Sequence, residues 1–181
     1  MKALATLIGL GLLSGLSAQS PLSTFAEWEQ SYNGVGTGRT MFFDLTVNNQ
    51  ITIRAMDINC SPSVPEGTPG TIEFYLRTGG TTTTYLGGEQ TPGHWTLQTT
   101  GAGVSNVSNV PTPVCFAAPI TLNPGIYAVA IQVTGFGQGW TLGTGTAIPG
   151  SGNQTFSNAD LTMRCGAVQA TLFTGVPTNS V

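Results

Sequence analysis

Residues 119–133, PITLNPGIYAVAIQV, constrain this chain more than any other stretch. A short apolar run meets an Asn123-Pro124-Gly125 turn, and a segment dense in β-formers follows. Its alternation predicts Tyr127, Val129, Ile131 and Val133 on one face and Ile126, Ala128 and Ala130 on the other. Both faces are then mostly apolar, as a central strand between two covering layers requires.

The rest of the chain supplies neighbours for such a strand. Residues 41–47 set Phe43, Leu45 and Val47 against Phe42, Asp44 and Thr46, and residues 51–59 form a second strand beyond an Asn48-Asn49 turn, which predicts a hairpin. In residues 71–78, Ile72, Phe74 and Leu76 point inward and Glu73, Tyr75 and Arg77 outward, onto a solvated polar face. Further strands are expected over 94–100, with Trp95 and Leu97, over 140–145, and over 158–165. The proline-rich stretch 61–70 and the segments 79–93 and 101–113 read as loops. Seven or eight strands with almost no helix predict an all-β fold, an antiparallel β-sandwich of jelly-roll-like type.

Composition places this fold outside the cell. Only 7% of the 181 residues are charged and 25 are glycine, so neutral polar groups must cover the surface. Five Lys and Arg, none clustered, leave no basic face for phosphates, which excludes nucleic acid and anionic membranes as partners. Residues 1–18 carry Lys2, an apolar run and Ser17-Ala18, the layout of a secretory signal cut after Ala18; an uncleaved anchor or a buried strand is the alternative. No second long apolar run follows, so no membrane span is expected after its removal. Residues 19–39 are irregular, with Phe25, Trp28 and Tyr32 at the spacing of one short helix. Residues 40–181 form the sandwich domain.

Cys60, Cys115 and Cys165 make an odd number in a compartment where disulfides persist. Cys60 follows one predicted strand and Cys115 precedes another at the same end of the sandwich, so Cys60 with Cys115 is the expected disulfide. Cys165 reads as a buried small hydrophobe, its partner, where it has one, lying on another chain or a missing piece.

Six short signatures follow one another along the chain: MFFDLTVNNQITIRAMDIN at 41–59, TIEFYLRTGG at 71–80, HWTLQTTGAG at 94–103, VPTPV at 110–114, ITLNPGIYAVAI at 120–131 and SNADLTMRCGAV at 157–168. Their order resembles a family of secreted β-sandwich domains of planctomycete and related environmental bacteria. The resemblance implies an exported module and brings no catalytic residues. It also implies a further aromatic-rich strand after FTGVPTNSV, so the sandwich here either lacks its last strand or closes differently. An open strand position would let other extracellular or surface proteins dock by strand addition.

Chemistry is sparse. Catalytic triads need a base held against a nucleophile, and the only histidine, His94, stands at a strand start. No nucleophile elbow, phosphate loop, HExxH or CxxC occurs, so no catalytic residue is assigned and a non-enzymatic module is expected. Asp44, Asp57 and Asp160, with Asn59 and Asn158, are the candidate calcium ligands at a sandwich end, against the plainer reading that Asp44 and Asp160 close turns. Tyr75, Arg77 and Tyr85 are the candidate ligand-binding residues, since aromatic faces stack on polysaccharide, whereas Trp95 and Trp140 read as core. The expected role is structural or in surface assembly, with a carbohydrate-binding accessory module as the alternative.

Overall fold

A computed structural model describes residues 21–24, 34–36, 38–140, 154–177 and 179–180. The expected leader, the helix expected around Trp28 and all but the first residue of the strand expected over 140–145 lie outside these residues. The strands are β1 (Gly34–Gly36), β2 (Arg39–Val47), β3 (Ile51–Asn59), β4 (Pro69–Arg77), β5 (Trp95–Val104), β6 (Pro111–Leu122), β7 (Gly125–Thr134), β8 (Gln138–Trp140), β9 (Thr155–Ser157), β10 (Leu161–Gln169) and β11 (Asn179–Ser180). One short 3-10 turn, Pro92–His94, is the only helical element among the described residues. Every strand pairing is antiparallel.

The main sheet runs β11-β10-β2-β7-β4-β5-β6-β3, with β9 also on β10, while β1 and β8 form a separate ribbon. As its alternation requires, β7 lies between β2 and β4. Val129, Ile131 and Val133 enter the main core, and Ala128 and Ala130 enter a second cluster on the opposite face. Ile126 departs from this pattern and is 53% exposed.

The expected hairpin between β2 and β3 does not form. β2 pairs with β7 and β10, whereas β3 pairs only with β6, so the Asn48-Asn49 turn crosses from one wall of the fold to the other. Both asparagine N–H groups donate to the Asp160 carbonyl, at 2.7 and 3.3 Å. The link from β6 to β7 crosses in the same way, and Gln50 Nε2 ties the two arches together by donating to Asn123 Oδ1 at 2.8 Å. The all-β antiparallel expectation therefore holds, built on one sheet curled into a half-barrel. Its concave side holds Phe43 and Leu45 of β2, Ile58 of β3, Ile72 and Phe74 of β4, and Val114 and Phe116 of β6 in one cluster.

Glycines of β5 make the bend. A Cβ on Gly101 would stand 2.9 Å from both Phe116 and Val114, and one on Gly103 would stand 2.7 Å from the Pro113 carbonyl oxygen. Without side chains there, β6 closes over β5 and the sheet turns inward. Of residues 101–113, expected as a loop, 101–104 belong to β5 and 111–113 to β6, and only 105–110 form the loop between them. The prolines hid a period-two pattern in which Thr112, Val114 and Phe116 are buried and Pro111, Pro113 and Cys115 exposed.

Candidate functional site

The convex side of the sheet divides into a covered half and a bare half. Over β2, β7 and β4 the loop between β4 and β5 folds back onto the sheet, and Arg77 at the end of β4 is its hub. Arg77 Nε donates to Gly79 O at 3.2 Å, and Nη1 donates to Thr84 O at 2.5 Å and Leu86 O at 3.0 Å. Its Nη2 stands 3.4 Å from His94 Nδ1. A guanidinium only donates, so this contact requires His94 Nδ1 to accept and the ring proton to sit on Nε2. Gly80 and Gly88 leave room for the group, since a Cβ on either would come within 2.8 and 2.7 Å of it.

Beneath the loop lies an aromatic cluster. Tyr85 stacks on Phe42 with centroids 6.4 Å apart, and its backbone N–H donates to Asp44 Oδ1 at 2.8 Å. Trp95 Nε1 donates to Gly88 O at 2.7 Å. Phe173, from the C-terminal segment, stacks on Trp95 at 5.5 Å and meets Tyr75 edge-on at 5.3 Å. Tyr85, Trp95 and Phe173 are all buried.

The three residues expected to bind ligand from an exposed face therefore brace the interior. Tyr85 is 1% exposed, Arg77 is engaged by loop carbonyls, and Tyr75 donates its hydroxyl to Glu73 Oε2 at 2.6 Å. Burial, reinforced by Glu73, raises the Tyr75 hydroxyl pKa. The expectation of a solvated outer face failed because the glycine-rich loop after β4 folds onto the strand it leaves. Trp95 is in the core as expected, and the Trp140 side chain lies outside the described residues.

The candidate calcium ligands are not brought together. Asp44 is mid-strand on β2 under the loop, Asp57 is exposed on β3 opposite Pro113, and Asp160 precedes β10 at the arch. The curl puts β2 and β3 on different walls, and among the described residues no three His, Cys, Asp or Glu side chains could hold a metal ion. Asp160 Oδ1 accepts from Asn49 Nδ2 at 3.2 Å. The turn before β10 is closed by Asn158, whose Oδ1 accepts the Asp160 and Leu161 N–H groups, each at 2.9 Å. Burial holds the Asp44 carboxyl above its ordinary value, against the Tyr85 N–H, Arg164 and Arg77, with Glu89 pushing the same way as burial.

Nor are Cys60 and Cys115 joined; all three cysteines are thiols. Cys115 was expected just ahead of its strand, but β6 begins at Pro111, which puts Cys115 inside it and opposite Ala55. Cys60 lies past the far end of β3, about 17 Å further along at strand spacing. It also faces inward, where Sγ donates to Thr112 Oγ1 at 3.3 Å. Burial raises the Cys60 thiol pKa and pushes that of Cys165 to about 11. Cys115 is exposed.

Cys115 sits in the bare half, over β4, β5, β6 and β3. The register aligns Thr71, Ala102, Cys115 and Ala55 in one row across these four strands, all exposed. A shallow depression of about 430 Å³ runs along this row, lined by Thr71, Glu73, Thr100, Ala102, Cys115 and Ala117. Beside it Val104 is 56% exposed. Charges stand at the margins, Glu73 on β4 and Arg54 and Asp57 on β3. Reading 101–113 as a loop concealed this face, although alternate exposed small residues at 113, 115 and 117 were there to signal it.

No family model matches this chain, and no curated protein matches it significantly. No helix among the described residues is long and apolar enough to cross a membrane.

Proposed function

We propose that this chain is an exported, non-catalytic β-module that works by assembling through its surface. The observation that carries this reading is the exposed row of Thr71, Ala102, Cys115 and Ala55, on a sheet whose neighbouring outer half is closed by its own loop and C-terminal segment. A continuous sheet face made of small, mostly uncharged side chains is well suited to lie against another protein layer. The groups with chemical potential have internal tasks: Arg77 holds the loop, His94 abuts Arg77, and Asp44 accepts the Tyr85 N–H.

Export follows from the layout of residues 1–18, and the resemblance to secreted β-sandwich domains of environmental bacteria agrees with it. Two walls joined by paired arches around one core support reading the half-barrel as a sandwich of jelly-roll-like type. For the carbohydrate alternative, Tyr85 is inside, and Tyr75 is half-buried with its ring edge-on to Phe173 and its hydroxyl on Glu73.

Sedimentation velocity and electron microscopy on the leader-cleaved chain test the assembly reading. Association that grows with concentration is expected. A strict monomer that binds polysaccharide saturably, with binding lost in Tyr75→Ala, would replace it with the carbohydrate reading.

A further inference from the structure

We infer that the loop between β4 and β5 is a pH-sensitive cover over the aromatic cluster, latched by His94 at neutral pH and loosened in mild acid. His94 is where the loop closes. Its carbonyl accepts the Thr78 and Gly79 N–H groups at 2.8 and 3.1 Å, and its own N–H donates to Thr91 O at 2.9 Å. These backbone bonds do not titrate, and they fix the base of the loop. The side chain packs on the turn at Gly79 and Gly80, where a Cβ on Gly79 would stand 3.2 Å from Cδ2 and one on Gly80 3.2 Å from Cε1 and Nδ1. From that position Nδ1 faces Arg77 Nη2 at 3.4 Å, and it accepts only while the ring is neutral.

Taking up a proton reverses that contact. Nδ1 becomes a donor, and an imidazolium then stands beside a guanidinium that keeps its charge throughout. The two groups separate, and the guanidinium is what grips the Thr84 and Leu86 carbonyls. With that grip released the middle of the loop loses its tie to β4, and Tyr85 and Trp95 beneath it are uncovered.

The sign of the effect singles out His94. Among the described residues, Arg77 on β4 is the one charged side chain bonded to its ring. The other charges on this side, Arg164 on β10 and Glu89 in the loop, act on Asp44 of β2. Burial keeps the Asp44 carboxyl protonated more readily than an exposed one, so acid favours the closed loop there, the opposite sense. His94 is the chain's single histidine, and a histidine ordinarily changes charge between about pH 5 and 8. Burial moves the Cys60 and Cys165 thiols upward, away from that range.

Hydrogen exchange on the leader-cleaved chain from pH 8 to pH 5 tests this, read as protection factors so that the intrinsic pH dependence of exchange drops out. Residues 84–91 should lose about fivefold in protection toward pH 5, as expected for one hydrogen bond, while β2 and β7 keep theirs. His94→Gln offers Arg77 an oxygen that does not titrate, so in that variant the loop should stay protected across the range, with far-UV circular dichroism confirming the fold. Nitrogen NMR of the parent at pH 8 should place the ring proton on Nε2. Protection in the parent that does not change with pH, the same loss in His94→Gln, or a ring proton on Nδ1 would each overturn the latch.

Discussion

Arg77 shows why a charged side chain can organise a loop that has few apolar residues. Its planar fork reaches carbonyls on Gly79, Thr84 and Leu86 together, which a lysine ammonium at the same place cannot do. Arg77→Lys should therefore destabilise the fold by about 2 kcal/mol, approaching Arg77→Gln, and hydrogen exchange should speed up in residues 79–94 ahead of the strands. Slow exchange there in the lysine variant would mean that charge alone holds the loop. Asp44 beneath the loop behaves in the opposite sense to a stabilising ion. Burial raises its carboxyl pKa above 3.8, so the folded chain holds the proton more tightly than the unfolded one. Its contribution is fully present below 3.8 and is lost as pH climbs through the raised folded value. Asp44→Asn keeps an oxygen for the Tyr85 N–H, so its stability relative to the parent should improve as pH rises across that window, read by urea denaturation at successive pH values. The three thiols separate as cleanly: with dilute native protein a disulfide reagent should titrate Cys115 alone, and denaturant should release Cys60 and Cys165.

At the level of elements, what the chain spelled out and what it concealed follow from local chemistry. β4 and β7 were legible because period-two alternation is a local property and both strands have covered faces: Ile72, Phe74 and Leu76 inward on one, Val129, Ile131 and Val133 inward on the other. Pairing is not local. Asn48-Asn49 suits a tight hairpin and an arch equally, and the choice between them depends on β10 and β6, far away in the chain. The solvated outer face expected for β4 was misread for a related reason. Tyr75 and Arg77 do point outward from β4, but a strand's outer face says nothing about the loop that later covers it. β5 was cut short because Gly101 and Gly103 resemble loop residues, although their bareness is what lets the sheet bend. Gly103→Ala should cost about 2–3 kcal/mol in urea denaturation, since the added carbon meets the Pro113 carbonyl oxygen at 2.7 Å, a backbone atom with no freedom to rotate away. Gly93→Ala, where no atom lies within 4 Å, is the matched control and should be close to neutral. Equal effects at the two positions would remove β5 as the corner of the half-barrel.

For the molecule as a whole, the order of strands in the sheet sets how it must fold. β2 completes its pairing only when β10 arrives, because Leu161 to Gln169 lie against Val47 to Thr40 from more than a hundred residues further on. The outer cluster waits for the same segment, since Ala167 and Phe173 pack on Phe42, Tyr85 and Trp95. Neither wall can reach its final packing from the first part of the chain alone. Loop closure over such separations has to be met before the contacts return any stabilisation, which places refolding in the millisecond-to-second range or slower. A chain ending before Gln154 keeps β2 to β7 intact in sequence yet leaves β2 without one neighbour and the aromatic cluster without its cover. Such a truncation should lose near-ultraviolet dichroism and cooperative urea unfolding altogether, beyond a mere drop in midpoint. Mixing it with a peptide spanning residues 154–177 should recover part of both signals. A truncated chain that unfolded cooperatively by itself would show that the β3-β6-β5-β4-β7 portion is a folding unit in its own right, with β10 as an appended strand.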